Sequence, residues 1–255
     1  MAIASALTEH KLLPMLYKST KIDAKGAQAL ANALQINKTL TTLNLGQSQI
    51  GDRGAQDLAN ALQINKVTTI LVLLPHYFTS SFTQTLTTLD LGQSQVGDRG
   101  PQALANALQI NKTLTTLNLG QSQIGDRGAQ ALANALQINE TLTTLDLRNN
   151  QIGAKGAQGL ANALQINKVT TILVLSLLLF TSSFTQTLTT LDLGQSQVGD
   201  RGPQALVNAL QINKTLTTLN LGQSQIGDRG AQALANALQI NKVTQISVLL
   251  PIHYT

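Results

Sequence analysis

From Thr39 onward the apolar positions run Leu40, Leu43, Leu45, Ile50 and then Leu58, Ala61, Leu62. The alternation at 43 and 45 has the period of a strand with one buried face. The spacings of three and four between 58 and 62 make a helical stripe. Between them Gly51-Asp52-Arg53-Gly54 is turn-rich, and Asp52 is placed to cap the helix that follows. The remaining alanines favour helix and permit close helix packing. Asn65 is expected at or just past the helix C-terminus, where a left-handed residue is tolerated.

This strand–turn–helix pattern recurs every 28 residues. Thr39–Lys66 and Thr113–Glu140 differ at only two positions. Further copies start at Thr85, Thr141, Thr187 and Thr215, and a worn one covers Lys11–Lys38. A unit of this size buries its apolar face only against a neighbouring unit, so the pattern predicts one elongated α/β solenoid. The expected organisation is a lead at 1–10 and a single solenoid at 11–255. Its repeats are 11–38, 39–66, 85–112, 113–140, 141–168, 187–214 and 215–242.

The LxxLxLxxNxI spacing, the GxxxLAxAL helix and Asn150 in LDLRNNQIG resemble leucine-rich repeats of the ribonuclease-inhibitor-like class. The resemblance implies a horseshoe with a parallel sheet on its concave face and α-helices on its convex face. It also implies that the asparagine side chain bonds the backbone of the adjoining turn. Serine holds that position in five copies, as Ser48, Ser94, Ser122, Ser196 and Ser224. A hydroxyl offers fewer bonds than a carboxamide, so a weaker ladder is expected.

Two 18-residue inserts, 67–84 and 169–186, interrupt the array, and the tail 243–255 starts like them and stops. Removing either insert joins QINK directly to TLTTLDL. This suggests retained introns read in frame. If translated, the segments near 69–73, 171–175 and 245–249 are expected to add strands. The last would be an uncapped edge open to self-association.

The expected concave face repeats one set of groups: Thr42, Asn44 and Gln47; Thr88, Asp90 and Gln93; Thr116, Asn118 and Gln121; Thr190 and Asp192; Thr218 and Asn220. Thr144, Asp146, Arg148 and Asn149 break the monotony once. A catalytic centre needs different groups converging on one point, whereas copies supply the same groups at successive heights. His10, His76 and His253 lie outside the clean repeats and have no companion at ligand spacing. No phosphate loop, GxSxG or HExxH occurs. A non-enzymatic chain with no cofactor and no metal is therefore expected.

The net charge of +5 is dispersed. Arg53, Arg99, Arg127, Arg201 and Arg229 each follow an aspartate, which suggests a self-compensating column. Lys66, Lys112, Lys168, Lys214 and Lys242 form another, broken by Glu140. The repeats from Thr39 carry no aromatic residue for base stacking, so nucleic acid is not an expected partner. Cysteine is absent, the start lacks the pattern of a secretory signal, and no apolar run approaches the ~20 residues of a membrane span. A cytoplasmic chain without membrane contact is expected. On that view the N-x-T sequences at Asn37, Asn111, Asn139 and Asn213 are structural caps.

These features favour a scaffold or ligand-sensing array that binds an unidentified protein. The resemblance extends to the repeats of NOD-like receptors. It extends equally to Ran-type GTPase activators, although no acidic tail is present. The inserts keep open a read-through product without selected function.

Overall fold

The computed structural model describes residues 22–37, 40–64, 86–166, 188–199, 201–213, 215–238 and 245–247. Helices alternate with three-residue strands: α1 (Ala24–Leu34), β1 (Thr42–Asn44), α2 (Gly51–Ile64), β2 (Thr88–Asp90), α3 (Arg99–Leu108), β3 (Thr116–Asn118) and α4 (Asp126–Leu136). They continue as β4 (Thr144–Asp146), α5 (Ala154–Ile166), β5 (Thr190–Asp192), α6 (Arg201–Ile212), β6 (Thr218–Asn220), α7 (Asp228–Leu238) and β7 (Gln245–Ser247). The strands form one parallel sheet in chain order. Each pairs in register with its repeat equivalent, so Leu43, Leu89, Leu117, Leu145, Leu191 and Leu219 form one buried row.

The core lies between sheet and helices. Leu58, Ala61 and Leu62 are buried as the helical stripe requires, and the same positions are buried in later copies wherever their side chains are described. Burying one leucine contributes about 1.5–3 kcal/mol, and each clean repeat commits several. Even in the last full copy Leu219, Leu221 and Leu234 stay buried.

The inserts lie outside the described residues. β1 pairs directly with β2, and β4 directly with β5. The strands expected near 69–73 and 171–175 fall on residues outside those described. The third segment does pair: β7 adds to β6, with Gln245 opposite Thr218.

The capping aspartate acts across repeats. Asp52 Oδ1 accepts the N–H groups of Arg99 and Gly100 at 2.9 and 2.8 Å. Asp98 Oδ1 accepts those of Gly125 and Gly128, and Asp126 Oδ1 those of Gly153 and Gly156. The expected cap of Asp52 on its own helix is thus replaced by a cap on the next. These carboxylates face sideways to free helix amides, and no ion pair joins them to the neighbouring arginines among the described residues.

Asparagines at the helix-to-strand return form a second ladder. Asn111, Asn139 and Asn213 are 1–3 % exposed. Asn139 Oδ1 accepts from Thr141 N and Leu142 N, and its Nδ2 donates to Leu108 O and Asn111 O of the preceding copy. They are structural, as expected, but none has a positive φ. Asn65 itself lies outside the described residues. The left-handed residues are instead glutamines of the GQSQ loop, with Asn149 in the one divergent copy.

Candidate functional site: the concave sheet face

Strand alternation turns each leucine inward and leaves its flanking threonine and Asx residue on the opposite face. Register then aligns Thr42, Thr88, Thr116, Thr144, Thr190 and Thr218 in one column. Asn44, Asp90, Asn118, Asp146, Asp192 and Asn220 form the next. Thr42 and Asn44 at the N-terminal edge are exposed, and the later members are half-buried between neighbouring rungs. Gln47, Gln93, Gln121, Arg148 and Asn149 are exposed at the rim. The candidate residues therefore come together as one continuous surface.

The Asx column has a structural duty that the sequence did not reveal. Each Oδ1 accepts the backbone N–H two residues on: Gly46 from Asn44, Gly92 from Asp90, Gly120 from Asn118, Arg148 from Asp146, Gly194 from Asp192 and Gly222 from Asn220, at 2.9–3.0 Å. These are Asx-turns that close the strand into the loop. Half of each side chain is thereby committed, and only the second Oδ or Nδ remains for a partner.

The glycine column leaves little room for side chains beside the Asx residues. A Cβ on Gly194 would stand 2.8 Å from Asn220 Nδ2, and one on Gly92 3.0 Å from Asn118 Nδ2. In the fourth copy Arg148 replaces glycine, and its stem crosses Gly120. Arg148 Nε contacts Asp146 Oδ2 at 3.2 Å, with the arginine side chain 56 % exposed. It divides the face into two shallow basins. One of about 230 Å³ runs from Asn44 to Gln121, and the other of about 400 Å³ is lined by Gln121, Gln195, Asn220 and Gln223. Gln195 and Gln223 were missed by the sequence reading although they occupy the same column as Gln121.

Burial between the rungs raises the pKa of Asp146 above its ordinary 3.8. The Arg148 amide and guanidinium oppose the rise, while Asp192 and Asp90 add to it through like-charge repulsion. Among the described residues no group of acidic or imidazole side chains converges at metal spacing, and no helix is long and apolar enough to cross a membrane.

Beneath this face lies the asparagine-position ladder. Asn150 Nδ2 donates to Leu119 O, Leu147 O and Arg148 O, and its Oδ1 accepts from Ser122 N and Ile124 N. Ser94, Ser122 and Ser224 each donate only to a leucine carbonyl of the preceding copy and to the glycine carbonyl two residues back. Buried Ser196 Oγ has no partner among the described residues, and the Leu147 carbonyl that it would use by analogy accepts from Asn150 Nδ2. The serine rungs make fewer bonds, as their chemistry requires.

The structure resembles leiomodin-1 actin-binding site 2 at TM-score 0.51 and 19 % identity, over 72 % of this chain and 86 % of that one. It also resembles the Caenorhabditis elegans tropomodulin C-terminal domain at 0.42 and 14 %, over 57 % and 81 %. A Bacteroides fragilis protein gives 0.44 and 12 %, over 91 % and 62 %. At 19 % identity the likeness to leiomodin-1 actin-binding site 2 is one of fold. No curated protein matches. A family model described as Leucine Rich repeat matches residues 37–59, 83–105, 111–133, 139–161, 185–207 and 213–235, together just over half of the sequence. The register of the matched segments follows the strand–helix units of the fold, and the chain belongs to the leucine-rich repeat family.

Proposed function

We propose that the chain is a non-enzymatic protein-interaction scaffold that holds a protein partner along its concave sheet face. The observation that carries this reading is the in-register column of threonine and Asx residues on six strands, hollowed by the glycines beside it. The helix in every described unit supports the ribonuclease-inhibitor-like class. A repeat array resembling that of NOD-like receptors fits the same features. Absence of cysteine and burial of the N-x-T asparagines accord with a cytoplasmic setting.

Rungs β3 and β4 sit at the middle of the face, so Thr116→Arg with Thr144→Arg tests it. A protein captured by the parent chain and by Gln130→Arg, a change on the exposed helical side, should be lost with the double variant. Equal capture by all three would refute the concave face as the binding surface. Accelerated GTP hydrolysis by Ran would replace this reading with the activator alternative. Excision of both inserts from the mature transcript would show that the insert-containing chain is a read-through product.

A further inference from the structure

The concave face carries a charge opposite to that of the chain. Across strands β1 to β6 and their rims the charged side chains are Asp90, Asp146, Asp192 and Arg148, three acids against one base, on a chain of net charge +5. Such a face attracts cations that the molecule as a whole repels.

The three acids are not equivalent. Asp146 Oδ1 accepts the Arg148 amide and its Oδ2 meets Arg148 Nε, so both oxygens are engaged and its charge is matched. Asp90 and Asp192 commit Oδ1 to the amides of Gly92 and Gly194. Their Oδ2 atoms have no partner among the described residues. Glycine stands over each carboxylate, and a Cβ on Gly92 or Gly194 would lie 3.2 Å from the aspartate Oδ1. Asp90 lines the first basin, and Asp192 lies beside Gly194, which lines the second. One unmatched carboxylate oxygen therefore sits on each side of Arg148. Burial is the main cause of the raised Asp146 pKa, and the further rise from Asp192 and Asp90 shows that their negative field is not relieved within the face.

We propose that the partner held on this face presents an extended basic segment, laid across the strands, whose two cationic side chains four residues apart meet Asp90 and Asp192 on either side of Arg148. The proposal rests on the reading of the concave face as the protein-binding surface. Asp90 on β2 and Asp192 on β5 are three strand spacings apart in the sheet, about 14 Å at ~4.8 Å each. An extended chain covers about 13 Å in four residues, and that even spacing puts both side chains on one side. A helix rises only about 6 Å over the same four residues. Charge also fixes the position along near-identical strands. Moving the segment one strand towards β6 sets its cations over uncharged Asn118 and Asn220, and one strand towards β1 over Asn44 and the already matched Asp146.

Nuclear magnetic resonance titration of the full chain with a blocked threonine peptide carrying two lysines four residues apart tests this. The Gly92 and Gly194 amides, which bond the two carboxylates, should shift together and report one Kd. Moving the lysines to three apart, on opposite sides of an extended chain, should weaken binding at least about threefold. Glutamates in place of the lysines should abolish it, and added salt should weaken it. Asp90→Asn with Asp192→Asn should weaken it at least about tenfold. Asparagine keeps the Asx-turn, as Asn118 and Asn220 show, so folding is retained. Asp57→Asn with Asp228→Asn removes the same charge from helices α2 and α7 and should change the Kd little. No shift at the two glycines, equal affinity for both lysine spacings, or equal weakening by the two double variants would overturn the inference. Each of these results leaves the wider reading to the Thr116 and Thr144 variants.

Discussion

Changing Asn150 to serine would make the fourth copy chemically like its neighbours. Serine retains counterparts of the bonds to Leu119 O and Arg148 O, as Ser122 does with Leu91 O and Gly120 O. It loses the bond to Leu147 O and the acceptor shared by Ser122 N and Ile124 N, both at 3.0 Å. The two amides are buried, and stranding such a group costs about 1–3 kcal/mol. One gain offsets this: Leu147 O becomes free for Ser196 Oγ, as Leu45 O is for Ser94 Oγ at 2.9 Å, a bond contributing about 1 kcal/mol. The net expectation is a loss of about 3 kcal/mol, read from urea unfolding. Hydrogen exchange should accelerate at Ser122 and Ile124 before other core amides. Ser196→Ala should be nearly neutral in the parent chain but cost about 1 kcal/mol in the Asn150→Ser background. A loss below about 0.5 kcal/mol, the range of ordinary surface changes, or absence of that coupling would refute the assigned bonding.

Other consequences are equally direct. Asp98→Ala should destabilise by about 1 kcal/mol by uncapping α4. Ala154→Asp should stabilise by a similar ~1 kcal/mol by supplying the cap that the copy before α6 lacks; chemical unfolding checks both. Gln121 has φ 55°, where Asn149 holds the equivalent place at 52°. Gln121→Asn should therefore raise stability by about 0.5–1 kcal/mol, because asparagine tolerates the left-handed region better; a melt that does not rise would contradict this. Asp146 has a pKa raised in the folded chain, so the native state binds more protons than the unfolded state as pH climbs from about 3.8. Its contribution to stability should fall as pH rises through the folded pKa. Asp146→Asn, which can preserve the Asx-turn to Arg148, should flatten that part of the stability–pH curve, and an unchanged profile would count against burial as the cause.

Much of this architecture was legible because near-copies repeat the same local instruction. Leucine spacing specified the strand rungs and the helical stripe, and one repeat length placed equivalent residues side by side. It also placed Thr116, Asn118 and their counterparts on a common face, since alternation along a strand decides which side a residue takes. Tertiary structure decided matters that depend on a neighbour. Asp52 could be recognised as a cap from its residue type, but only stacking showed that the amides within reach belong to the next helix. Ser196 shares its local sequence with bonded serines yet lacks a partner among the described residues, beside an Asn150 that donates to the Leu147 carbonyl. Side-chain pattern along one chain carries local preference, whereas the destination of a hydrogen bond depends on groups brought close only when copies stack.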